Sequence, residues 1–294
     1  MRLGDGDDSD FIDRTGQGGG GPIMGGGGLG LLAGLVLSRF GIVGVLILLL
    51  GYCALSSLGG GGGILGGGGS GTQQGASGQS TLSPENRRLL NSALISTDQV
   101  WGQFFNAAGQ RYVEPKLVAY TRGTQTSCGA GQAAMGPFYC PEDQSIYIDP
   151  EFFEELTRRF GAPGDFAQLY VVAHEVGHHI QNLQGTLERA SSAQARANTV
   201  AGNEIQVGVE HQADCYAGVW AANAKAPDGT RALEPGDVEE GMRAAEAIGD
   251  DTLQRQTQGT VVPESFTHGS SAQRMAALQR GLQTGNPAAC NYAS

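Results

Sequence analysis

Basic residues are scarce in this chain. Eighteen Lys and Arg stand against 29 Asp and Glu in 294 residues, a net charge of −11. No stretch concentrates Lys or Arg, so the basic surface that nucleic acid demands is missing and a nucleic-acid partner is excluded. Charge of either sign is absent from Phe40 to Pro84. Cysteine is sparse as well, with five in the whole chain. Their spacing matches no zinc finger, which removes a closed cysteine-bound metal module. There is no internal repeat.

Glycine, by contrast, is abundant, and many of the 49 glycines crowd into the first 80 positions. We therefore expect a Gly-rich leader over 1–40, with the globular unit beginning much later. Within the uncharged run, "GIVGVLILLLGYCALSSL" covers 41–58 and is 18 residues long. That is close to the ~20 apolar residues that cross a bilayer, and predicts one transmembrane helix. Residues 59–83 read as a Gly/Ser-rich linker. Arg2, Arg14 and Arg39 precede the span, and the next basic residue is Arg87. The positive-inside rule then places the N-terminus in the cytoplasm and residues 84–294 outside, a single-pass protein of the cell membrane. Cys53 belongs to the span. Cys128, Cys140, Cys215 and Cys290 lie on the expected outer side, where disulfides persist.

Beyond the linker the pattern is α+β, a small antiparallel sheet packed on a helical body. "SPENRRLLNSALISTDQVWGQFFNAAG" opens as a helix, with Ser83 as cap and Pro84 in the first turn. "KLVAYTRG" and "QSIYID" read as strands around a Cys- and Gly-containing connection. Helices follow over "PEFFEELTRRFG", "GDFAQLYVVAHEVGHHIQNLQG", "AGNEIQVGVEHQADCYAGVWAANAK", "GDVEEGMRAAEAIGDDTLQRQ" and "SSAQRMAALQRGL".

The helix that carries "VVAHEVGHHI" sets a glutamate and three histidines in an apolar run. His174 and His178 are one turn apart and share a face, a spacing at which two imidazoles bind one Zn²⁺. Glu175 then stands beside the metal as general base. Buried histidines need partners, and a metal supplies them. A catalytic zinc requires a third protein ligand. The continuation that would supply a third histidine meets Gln181 and Gln184 instead, and is excluded. Glu188 and Glu204 are candidates. Glu210 is favoured, because its surroundings are too apolar for a plain outer face. Asp214, one turn on, is placed to accept the free N–H of a ligating histidine. His179 and His211 read as neighbours rather than ligands.

Taken together, "CGAGQAAMGPFYCPEDQSIYIDPEFF", "VVAHEVGHHIQ", "EHQADCYAGVWA" and "FTHGSSAQR" resemble the bacterial neutral zinc metallopeptidases over essentially everything after Ser83. Where that family usually has Glu-Leu-Gln-Ala-Asp, His211 here replaces the leucine. The resemblance implies a zincin-like fold of the gluzincin type, one zinc ion and Glu210 as third ligand, but it does not imply a substrate; a peptide or protein substrate is the expectation from peptidase chemistry itself.

The leading expectation is a membrane-anchored zinc peptidase with Glu175 as base. The other is a metal-loaded but inactive envelope module that holds a peptide or cell-wall partner. Strand 145–149 is expected to bind extended substrate along its edge. His268, in a Gly/Ser loop, is the expected second donor to the oxyanion of the transition state, with Arg274 on the next helix either bracing it or contacting the substrate carbonyl. The expected disulfides are Cys128–Cys140, which closes a short loop between strands, and Cys215–Cys290, which ties the Glu210 helix to the C-terminal segment.

Overall fold

The computed structural model describes residues 1–6, 9–17 and 79–291. The expected span over 41–58, and most of the linker, lie outside these residues. Among the described residues, no helix is long and apolar enough to cross a membrane.

Eight α-helices are described. α1 (Pro84–Ala107) is capped by Ser83, whose hydroxyl accepts from the Asn86 amide at 3.1 Å. α2 (Glu151–Arg158) is short; α3 (Asp165–Leu183) carries the histidine pair. Gly185 follows α3 in the left-handed conformation that ends helices. Next comes α4 (Thr186–Gln194), a helix the sequence reading passed over, and then α5 (Thr199–Asn223). The segment expected as one helix from Gly236 breaks at Ile248–Gly249 into α6 (Asp237–Ala247) and α7 (Asp250–Gln258). α8 (Ser271–Thr284) begins with a Ser270–Gln273 capping box.

The sheet differs from expectation. Strands β1 (Phe11–Asp13), β2 (Lys116–Ala119), β5 (Phe138–Cys140) and β6 (Ser145–Ile148) form one sheet in the order β1-β2-β6-β5. The β1–β2 and β2–β6 pairs are parallel, and only β5–β6 is antiparallel. The connections from β1 to β2 and from β2 to β6 are long enough to return the chain in the same direction. β3 (Gly123–Thr126) and β4 (Gly129–Gln132) make a separate antiparallel hairpin within the stretch expected as a plain connection. β6 lies between β2 and β5, so it has no free edge for a substrate strand. That expected role for 145–149 is corrected.

The leader boundary is corrected too. Residues 1–17 belong to the same compact unit as residues 79–291. Asp13 accepts from Ser80 at 2.5 Å and pairs with Arg87. Thr15 Oγ1 accepts from the Thr81 amide at 3.0 Å. Gln17 and Gln79 are thus brought to one place on one body.

The core lies between α1, α3 and α5, filled by Trp101, Trp220, Tyr170 and Phe166, all nearly inaccessible. α3 and α5 cross closely at Gly177. A Cβ there would stand 2.9 Å from the backbone of Ala213. Gly177 lies between His174 and His178, and Ala213 between Glu210 and Asp214. The closest approach of the two helices therefore falls where their polar residues meet.

Candidate metal centre

Four-residue spacing builds both halves of the site. Tyr170, His174 and His178 line one face of α3, while Gln206, Glu210 and Asp214 line one face of α5. Arg274 reaches in from α8. His174, Glu210, Asp214 and Arg274 sit in the interior, and His178 is partly buried.

One donor atom from each of His174, His178 and Glu210 lies within 4.8 Å of the others. His174 Nε2 is 3.1 Å from Glu210 Oε2, and His178 Nε2 is 3.7 Å from Glu210 Oε1. The other ring nitrogens are engaged elsewhere. His174 Nδ1 donates to Asp214 Oδ1 at 2.8 Å, and His178 Nδ1 donates to Gln181 Oε1 at 2.8 Å. Both rings therefore turn Nε2 toward the shared point, as metal-ligating histidines do. Two imidazole nitrogens and a carboxylate form a donor set that suits zinc and leaves a coordination position open. The residues present fit the ion.

Asp214 is the hub behind His174. Its Oδ1 accepts from Tyr170 Oη at 2.5 Å and from Arg274 Nη2 at 2.9 Å, and its Oδ2 accepts from Arg274 Nε at 2.9 Å. Burial alone would raise the Asp214 carboxyl, but Arg274 and His174 hold it well below the usual range. Burial likewise pushes the His174 imidazole down, and Asp214 and Glu210 overcome this to raise it to about 10. A metal at Nε2 must displace that proton, so its binding is coupled to proton release. Glu175 is buried beside the pair, and burial raises its carboxyl. A carboxylate so placed is easier to protonate than one in water, the property a general base needs.

The other expected residues separate from this cluster. Glu188 and Glu204 are exposed and stand outside the group of potential ligands. Arg274 forms its fork with Asp214 and does not brace His268. That work falls to Asp250, at the start of α7. Its Oδ2 accepts from the backbone N–H of Thr267, His268 and Gly269 at 2.7, 2.7 and 3.1 Å, and its Oδ1 stands 3.3 Å from His268 Nδ1. His179 is fully buried, between Tyr139 Oη at 3.0 Å and the Val113 carbonyl at 2.7 Å. Burial lowers its imidazole to about 4, so this ring is a neutral strut. Sequence reading missed Tyr170, Gln181, Gln206 and Asp250. Tyr170 and Gln206 carried a signal, each one turn before a candidate site residue on the same face. Gln206 donates to Glu210 Oε1 at 2.9 Å.

Both expected disulfides, Cys128–Cys140 and Cys215–Cys290, are formed. A groove of about 400 Å³, lined in part by Asn198, Asn203, Gln206 and Thr267, opens beside Glu210 and the His268 loop. A larger one of about 640 Å³, between α6 and α8, is lined by none of the site's residues.

Among known proteins, the chain is similar to the uncharacterized protein YpfJ of Escherichia coli (strain K12). The two are 42% identical over 285 residues, 97% of this chain and 96% of the relative. It is also similar to the uncharacterized protein Rv2575 of Mycobacterium tuberculosis (strain H37Rv), with 43% identity over 204 residues, 67% of each chain. No solved structure matches it. The family model described as "Putative neutral zinc metallopeptidase" matches residues 1–293, and the chain belongs to that family.

Proposed function

We propose that this chain is a zinc peptidase that hydrolyses peptide bonds with a water activated by Glu175. The observation that carries this reading is the convergence of His174 Nε2, His178 Nε2 and the Glu210 carboxylate, with both Nδ1 atoms tied away. Zinc, when bound there, supplies Lewis-acid polarisation of a water and of the scissile carbonyl. Glu175 takes the water proton and delivers it to the leaving amine. Asp250 orients His268, which then donates to the oxyanion. The groove beside Gln206 and Thr267 receives the substrate chain. Membership of the zinc metallopeptidase family supports this assignment, as does the position of the metal residues on two crossed helices.

The two disulfides support an oxidising compartment for the body. The apolar sequence 41–58 supports attachment to a bilayer. Purified full chain and its Glu175→Gln variant decide the function. Both should bind one zinc per chain, and only the unsubstituted protein should cleave a broad peptide library. Zinc in both and cleavage by neither would favour an inactive peptide-binding module; no zinc in either would remove the metal centre.

A further inference from the structure

A chain of amides runs from the histidine pair to the C-terminal disulfide. Gln181, fully inaccessible, accepts from His178 Nδ1 through Oε1 at 2.8 Å. Its amide nitrogen donates to the Val209 carbonyl at 2.7 Å and to Gln212 Oε1 at 3.0 Å. Gln212, also buried, donates through Nε2 to the Cys290 carbonyl at 2.8 Å. Cys290 is bonded to Cys215, three residues beyond Gln212 on α5.

The direction of this chain is forced from its far end. A backbone carbonyl only accepts, so Gln212 must turn its NH₂ to Cys290 and its oxygen to Gln181. Gln181 must then present its NH₂ to Gln212 and Val209, and its oxygen to His178. His178 in turn must carry its proton on Nδ1, which leaves the Nε2 lone pair facing His174 and Glu210. A flipped Gln181 would set its oxygen against two other oxygens in a dry interior, where unpaired polar groups are costly. His174 receives the same setting from Asp214, a charged acceptor. His178 receives it from a neutral relay that ends on a covalent tether.

We propose that Gln212 is a positioning residue of the metal centre. Through Gln181 it fixes the tautomer and ring angle of His178, and the Cys215–Cys290 bond holds the carbonyl that orients Gln212. The affinity of the centre for zinc therefore depends on that disulfide. This inference rests on the metal centre proposed above.

Zinc affinity of the folded full chain, measured by chelator competition, tests it without reference to peptidase activity. Gln181→Leu should weaken binding by roughly 10–100-fold, as loss of an outer partner of a ligating histidine does. Gln212→Leu should weaken it by about 10-fold, since Val209 still holds Gln181. The shape-preserving Gln212→Glu keeps an oxygen that accepts from the Gln181 amide, so it should retain more of the affinity than Gln212→Leu. Adding Gln212→Leu to Gln181→Leu should cost nothing more. Replacing both Cys215 and Cys290 by Ser should weaken zinc binding in the unsubstituted background but not in the Gln212→Leu background. Unchanged affinity in Gln212→Leu, or losses that simply add, would overturn the relay. An unsubstituted chain that binds no zinc would instead overturn the metal centre.

Discussion

At the residue scale, Glu210 and Asp214 are both buried carboxylates on one helix face, but they serve different partners. Glu210 faces the two Nε2 atoms, while Asp214 neutralises Arg274 and orients His174. Their substitutions should separate. Glu210→Ala should abolish tight zinc binding with a modest effect on unfolding. Asp214→Ala strands the Arg274 guanidinium, which is nearly inaccessible. Breaking a buried pair costs roughly 3–5 kcal/mol, so denaturant unfolding should show a loss of that order, with zinc affinity lowered about 10–100-fold. A third variant isolates the chemistry. His268→Ala should lower kcat by roughly 10²–10³ with zinc content unchanged, the effect of removing one oxyanion donor. Steady-state kinetics alongside metal analysis distinguishes that outcome from a ligand role.

At the element scale, helix crossings and helix ends set the site. α5 and α8 approach so closely that a Cβ on Gly281 would stand 2.0 Å from the Cys215 carbonyl, and one on Gly218 would stand 2.3 Å from that of Leu278. Gly281→Ala should therefore destabilise by about 1–3 kcal/mol and push Arg274 away from Asp214, lowering the thermal midpoint. The start of α7 makes a different prediction. Burial tends to raise the Asp250 carboxyl, but His268 and the loop amides bring it below its ordinary value. A carboxyl lowered on folding contributes stability above its unfolded pKa of about 3.9 and loses that contribution as pH falls through the folded value. Asp250→Asn should thus be less stable at pH 7, by about 1–3 kcal/mol. The difference should shrink below about pH 4, as denaturant midpoints across that range would show.

At the scale of the whole molecule, the N-terminal residues are part of the body. β1 covers one edge of β2, the Leu117 amide donates to the Asp10 carbonyl at 3.0 Å, and the Arg14 amide donates to the Ala119 carbonyl at 2.7 Å. Another backbone bond joins the Arg2 amide to the Ala232 carbonyl at 2.9 Å. At roughly 1 kcal/mol for each of these bonds, a chain beginning at residue 79 should be less stable than the full chain by about 3 kcal/mol or more. Thermal unfolding of the two proteins side by side checks this. Equal stability would mean that β1 contributes no net free energy.

Local pattern in the sequence was enough to identify most of the helices, though not α4 or the break between α6 and α7, and the residues the site helices present together. The four-residue spacing of His174 with His178, and of Glu210 with Asp214, assigns each pair to one helical face whatever the helix packs against. Four cysteines in the body allow three pairings, and loop length with element placement pointed to the pair of disulfides that form. Tertiary structure alone decided the rest. β1 is three residues long and pairs with a strand about a hundred positions away, so no periodicity announces it. The mixed polarity of the sheet depends on the routes between strands. Arg274 meets Asp214, Asp250 holds the His268 loop, and Gln181 meets Gln212 only because α3, α5, α7 and α8 pack as they do. Asp250 and Gln212 read as ordinary surface residues in one dimension, and sequence reading assigns Arg274 to His268 rather than to Asp214. Burial makes each of them find its partner, and burial is a property of the packed chain.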